Sequence, residues 1–152
     1  MNTLIIFGAK YLYLAAIAVA LVYFLKQPRE IKKRIIIFGL ASLPITYLVA
    51  KLAGHFYYDP RPFAAGNFTP LIPHADDNGF PSDHTLILAA IASVIYPFSK
   101  KASAVLWMLA FAVGFSRVFA GVHHSIDIFG SMIIAAVVSV LTVRLLGKRG
   151  MV

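Results

Sequence analysis

Apolar residues fall into five long blocks along the chain, separated by short polar breaks and one long polar stretch. The first block, residues 4–25, is interrupted only by Gly8 and Lys10. It lacks a basic leader and a small-residue cleavage site ahead of polar sequence, which predicts a retained helix and not a cleaved signal. The second block covers residues 35–57 and contains Pro44, tolerable in a membrane helix whose neighbour satisfies the freed carbonyl. The third begins near Ser82 and ends at Tyr96-Pro97, the fourth spans about 104–119, and the fifth about 125–146. The pattern predicts an all-α integral membrane helix bundle of about five transmembrane helices, in a single domain over residues 1–152. No internal repeat, low-complexity tract or heptad seam interrupts it.

Composition supports this reading. Of the 152 residues, 60% are hydrophobic and 13% charged, and the mean hydropathy of +0.81 belongs to the membrane class. The absence of cysteine excludes a disulfide framework and a thiolate metal site. A formal charge of +8 raises the question of nucleic acid, but the placement of the charges argues against it. Lys26, Arg29, Lys32, Lys33 and Arg34 form one group, Lys100 and Lys101 a second, and Arg144, Lys148 and Arg149 a third. With five spans all three groups lie on one side, which the positive-inside rule makes cytoplasmic. The polar stretch 58–81, the start of the third helix and the turn 121–125 then lie on the outer side.

That outer side collects the unusual chemistry. Within residues 115–127 stand Arg117, His123, His124 and Asp127. His123 and Asp127 are four apart and share a helical face, so the carboxylate can accept the Nδ1 proton and leave Nε2 basic. Arg117 adds planar donors suited to phosphate oxygens. Arg61-Pro62 opens the polar stretch, where Arg61 can clamp a phosphate or snorkel to headgroups. Phe80-Pro81-Ser82-Asp83-His84 marks the start of the third helix, with Ser82 or Asp83 at the cap and Pro81 beside it. A helix N-terminus offers free N–H groups to an anion, and His84 in its first turn is placed to donate a proton to a leaving oxygen. The same residues also fit a polar cap between membrane helices, or a non-catalytic cluster that binds ions or lipid.

Arg61-Pro62, Pro81-Ser82-Asp83-His84, and Ser116-Arg117 followed by His123 and Asp127 resemble the three-part signature of the type 2 phosphatidic acid phosphatase superfamily. The match runs from Lys51 to Asp127, and the third part fits residue for residue. The resemblance implies a metal-independent membrane lipid phosphatase with no cofactor. It implies a phosphohistidine on His123 oriented by Asp127, a leaving group protonated by His84, and phosphate held by Arg61, Arg117 and Ser82. The Phe-Pro-Ser-Asp-His form, with Asp83 where most members have glycine, resembles the bacterial undecaprenyl-diphosphate phosphatase branch. That branch implies a polyprenyl diphosphate substrate and a bacterial inner membrane, with the site facing outward. Phosphatidylglycerol phosphate, phosphatidic acid and lipid A are the alternative substrates. The sequence carries no signal of oligomeric state.

One family position differs. The lysine expected seven residues before the first-motif arginine is Gly54 here, and either Lys51, about one turn earlier, or Lys10 in the first span can supply the charge. His74, Asp76, Asp77 and His124, drawn together with His84 and His123, make a conceivable metal site, but no tight ligand spacing appears. His55, Tyr57 and Tyr58 are expected at the membrane interface.

Overall fold

The structure, a computed structural model, describes residues 2–147. Lys148 and Arg149 of the third basic group lie outside the described residues. The helices are α1 (Asn2–Lys10), α2 (Leu12–Leu25), α3 (Arg29–Phe56), α4 (Pro62–Gly66), α5 (Asp83–Ile95), α6 (Lys100–Phe119) and α7 (Ser125–Gly147). Among them α3, α6 and α7 are each long and apolar enough to cross a membrane. The molecule is an integral membrane helix bundle.

The first apolar block is two helices, not one. α1 and α2 meet at Tyr11 with a bend of 46°, where Tyr11 leaves helical geometry at φ −125° and ψ −24°. A break inside a membrane helix frees carbonyls that lipid cannot satisfy. Here the Arg117 guanidinium of α6 donates through Nη1 to the Ala9 carbonyl at 3.2 Å, so a charged side chain caps the end of α1.

Two helices begin earlier than the apolar pattern predicts. α3 starts at Arg29, so Arg29, Lys32, Lys33 and Arg34 lie in its first turns and only residues 26–28 link it to α2. These basic residues have good helix propensity once Pro28 has set the chain direction. α6 starts at Lys100 because Ser99 caps it, its Oγ accepting from the Ala102 N–H at 3.2 Å.

α5 is the hub. Its 13 residues reach about 20 Å, short of the roughly 30 Å hydrocarbon core. It packs against α2, α3, α6 and α7, so protein and not lipid covers most of it. Leu88, Ala89, Ala90 and Ala92 are all buried, and small side chains let neighbouring helices approach closely. Ser103 of α6 donates to the Ala92 carbonyl at 2.8 Å, and Ser139 of α7 donates to the Ser93 carbonyl at 3.2 Å.

The polar stretch folds over one end of the bundle, and Asn78 ties it down. Asn78 Nδ2 donates to the carbonyls of Gly54 at 2.8 Å and Tyr57 at 3.1 Å. Asn78 Oδ1 accepts from the N–H groups of Asp59 at 2.9 Å and Phe80 at 3.0 Å. One side chain thereby joins both ends of the stretch to the C-terminal end of α3. The close approach requires Gly54: a Cβ there would meet the Phe80 carbonyl oxygen at 2.8 Å.

Candidate active site

Four helix ends meet beneath that stretch: the C-terminal ends of α3 and α6 and the N-terminal ends of α5 and α7. Between α6 and α7 the chain reverses through Gly121, whose φ of +79° suits glycine. The turn delivers His123 just ahead of α7 and Asp127 into its first turn.

His123 Nδ1 lies 3.0 Å from Asp127 Oδ2. On the other side of the ring, Nε2 lies 3.3 Å from Arg61 Nη1. A guanidinium can only donate, so this contact puts the Nε2 lone pair toward Arg61 and the ring hydrogen on Nδ1, where it donates to Asp127. The predicted tautomer is therefore the one the geometry favours. His123 is buried, and burial first, then the charges of Arg117 and Arg61, push its pKa down to about 3. The ring is neutral at neutral pH and keeps a free Nε2.

Arg61 arrives from the far end of the polar stretch. Its Nη1 donates to the Val122 carbonyl at 2.8 Å, its Nη2 to the Asn78 carbonyl at 3.4 Å and its Nε to Asp77 Oδ1 at 2.7 Å. Burial opposes ionisation of Asp77, but the hydrogen bond and charge of Arg61 outweigh it and hold the carboxyl below its ordinary range. Arg117 is buried too, and its Nε has no hydrogen-bond partner among the described residues.

These side chains open onto one cavity of about 470 Å³, walled by Arg61, Arg117, His123, His84, Asp83 and Lys51. Asp83 is exposed and His84 half-buried, with its ring edge-on to Tyr13 at 5.1 Å between centroids. Lys51 reaches the cavity and stacks its Nζ over the Tyr47 ring at 5.2 Å. Lys10 does not line it, although its neighbour Ala9 touches Arg117. Ser82 is fully buried behind the wall: its Oγ accepts from Thr85 Oγ1 at 3.3 Å, and it caps α5 by position without a side-chain cap bond.

Residues 33–151 match the family model of the PAP2 superfamily. The chain belongs to that superfamily. It is 32% identical to undecaprenyl-diphosphatase BcrC of Bacillus subtilis over 147 residues, covering 95% of this chain and 74% of that protein. It is 35% identical to the bacitracin transport permease protein BcrC of Bacillus licheniformis over 130 residues, covering 84% of this chain and 63% of that protein. The crystal structure of Aquifex aeolicus LpxE shares the fold, with a TM-score of 0.67 at 22% identity over 93% of this chain and 82% of that one. Within the matched residues His123 and Asp127 form a hydrogen-bonded pair, and at Gly54 the Phe80 carbonyl leaves no room for a side chain.

Sequence reasoning underrated three residues on or near this wall. His74 lines the cavity with its ring 6.1 Å from that of His123, Asp77 occupies Arg61, and Asn78 holds the stretch in place. Burial, then the charge of Arg61, lowers the pKa of His74. Asp59, legible in the sequence only as a turn residue, places its Oδ2 2.9 Å from His124 Nδ1. Asp59, His124 and Asp127 bring one potential metal-ligating atom each within 4.8 Å of one another. Those carboxylates already accept hydrogen bonds from His123, His124 and the His124 N–H.

Proposed function

We propose that the protein is a membrane lipid phosphatase that hydrolyses undecaprenyl diphosphate to the monophosphate and inorganic phosphate. The observation that carries this reading is His123, neutral and fixed by Asp127, with Nε2 turned toward a cavity walled by two arginines and a lysine. The names of the relatives support the substrate class. In this reading Nε2 attacks the terminal phosphorus and the bond to the bridging oxygen breaks. His84 protonates the departing oxygen, Asp127 stabilises the charged ring, and Arg61, Arg117, Lys51 and the α5 N-terminus neutralise the equatorial oxygens. Water, deprotonated by His84, then attacks the phosphohistidine, releasing phosphate and restoring His123. Arg61 must exchange Asp77 for substrate phosphate at the start of each cycle. Lys51 stands in for the missing motif lysine. The site faces the outer side of a bacterial inner membrane, because α3 carries its basic turns about 30 Å from the cavity end of the same helix.

The test is phosphate release by purified protein in detergent with EDTA, comparing undecaprenyl diphosphate, phosphatidylglycerol phosphate and phosphatidic acid. The diphosphate is expected to give the highest kcat/KM. Preference for either monoester would move the substrate assignment, and no release from any lipid would favour a binding protein.

A further inference from the structure

α1 and α2 lie ahead of the stretch that the family model matches, yet they touch two side chains assigned above to catalysis. Among the described helices α1 packs on α6, which carries Arg117, and on its own continuation α2. The approach to α6 is close because residue 8 is glycine. A Cβ on Gly8 would collide with Ser116 Oγ and lie 2.8 Å from the Ser116 Cβ. The break at Tyr11 supplies the rest. In an unbroken helix the Ala9 carbonyl would accept from the Tyr13 N–H. Here the Tyr11 N–H reaches the Phe7 carbonyl at 2.8 Å as in a helix. Past the break the Leu14 N–H reaches the Tyr11 carbonyl at 2.9 Å, one residue short of helical spacing. The buried Ala9 carbonyl instead accepts from Arg117 Nη1 at 3.2 Å.

That is the one hydrogen bond the Arg117 side chain makes among the described residues, and its Nε makes none. Arg61, by contrast, is held by Val122, Asn78 and Asp77. Two residues past the break, the Tyr13 ring stands edge-on to His84, with 5.1 Å between centroids and 89° between planes. His84 has no carboxylate partner of the kind that orients His123.

Resting on the function proposed above, we infer that the broken first span is a positioning element of the active site. The Ala9 carbonyl aims Arg117, the Tyr13 ring aims His84, and Gly8 sets how closely α1 approaches α6. None of the three touches substrate; each acts through another side chain. With Nη1 on Ala9, the other N–H groups of Arg117 are presented at fixed angles to a phosphate oxygen. Withdrawing the carbonyl leaves the charge in the cavity and removes its direction. The ring edge of Tyr13 limits rotation of His84, which as an acid must lie within hydrogen-bond reach of the leaving oxygen.

The experiment takes the two arms separately, in purified full-length protein in detergent. For the Arg117 arm, orthovanadate, which adopts the five-coordinate geometry of phosphoryl transfer, is titrated calorimetrically into wild type and Gly8→Ala. Stoichiometry reports the folded fraction and Kd reports the site, so a purely structural loss leaves Kd unchanged. The expected Kd rises about tenfold to a hundredfold, below the typical effect of losing a donor outright. Adding Ser116→Gly removes both atoms that the new Cβ meets, and should return Kd to that of Ser116→Gly alone. The Ser116 hydroxyl is otherwise spent on the Ala112 carbonyl at 2.7 Å. For the His84 arm, Tyr13→Leu keeps an apolar side chain and removes the ring edge. A diphosphate expels a phosphate with a pKa of about 6. A lipid monoester expels an alkoxide whose conjugate acid is nearer to water, at about 15.7. Tyr13→Leu should therefore lower kcat/KM about tenfold more for phosphatidic acid than for undecaprenyl diphosphate. An unchanged Kd in Gly8→Ala, or a raised one that Ser116→Gly does not restore, would overturn the Arg117 arm and leave the phosphatase reading intact. Equal losses on both lipids would do the same to the His84 arm. If Gly8→Ala yields no folded protein, Tyr13→Leu decides the inference alone. A wild-type protein that neither binds vanadate nor releases phosphate would sink the phosphatase reading, and this inference with it.

Discussion

Two adjacent histidines each meet a carboxylate through Nδ1, His123 at 3.0 Å from Asp127 and His124 at 2.9 Å from Asp59. By distance the pairs are equivalent, and by setting they are opposites. The side chains of the first pair expose 3% and 0% of their surface, those of the second 41% and 15%. Nε2 of His123 faces the cavity and Arg61, whereas His124 is not on the cavity wall. In the dry interior a charge–dipole contact acts at low dielectric, and at the rim water screens it. Burial raises the pKa of Asp59, with the His124 hydrogen bond opposing. The lesson is that a His–carboxylate bond does not by itself mark a catalytic pair. Burial and the direction of the second nitrogen separate the pair proposed as catalytic from its neighbour.

The comparison breaks most sharply at the buried pair. His123→Ala should lower kcat on the order of 10⁶-fold, since the nucleophile of a cooperating set is lost. Asp127→Asn keeps the shape but removes the charge behind the ring, and a loss of about 10⁴-fold is expected. Single-turnover phosphate release measures both, and near-normal turnover in His123→Ala would remove the covalent mechanism.

Lys51 sharpens the comparison, because it is exposed yet lines the cavity, whereas the half-buried His124 does not. Lys51→Met should cut kcat/KM by roughly 10²–10³, the typical effect of one lost electrostatic donor. Lys10→Met, off the wall, should change it far less. Equal small effects would mean that the arginines suffice.

The pH dependence of stability separates the pairs by a smaller effect. His123 has a folded pKa of about 3 against an ordinary value of 6.5. The unfolded chain therefore binds the extra proton between those limits, and this histidine's term costs stability progressively as pH falls from 6.5 toward 3. Replacing His123 with Asn should narrow the difference in Tm between pH 7 and pH 5 by a few degrees. An unchanged difference would show that His123 is not held neutral.

The smallest effects belong to the rim pair. Asp59→Asn and His124→Ala should each lower kcat/KM by less than about tenfold, as for a partly exposed pair off the cavity wall. A loss as large as that of Asp127→Asn would show that the outer pair sets the charge of the inner one.

The sequence by itself determined the membrane class and the five apolar blocks, and it pointed to the His123–Asp127 pair. The first two follow from composition and hydropathy alone; the pairing of His123 with Asp127 was legible in their spacing, although His123 sits in the turn ahead of α7 and not on the helical face that the spacing predicts. Helix starts were less legible: Ser99 and Pro28 begin α6 and α3 earlier than apolarity suggests, because capping and propensity are local but not hydrophobic. The break at Tyr11 was invisible, since its compensation comes from Arg117, 108 residues away. Only the tertiary structure decided that Lys51 and not Lys10 reaches the cavity, that Asn78 is a clasp and not merely a turn residue, and that Asp77 sits on Arg61. Each of these depends on where a polar stretch without periodicity lies across four helix ends. Such a path is set by a few long-range hydrogen bonds and by the room left at one glycine, Gly54, and neither leaves a pattern in the order of residues.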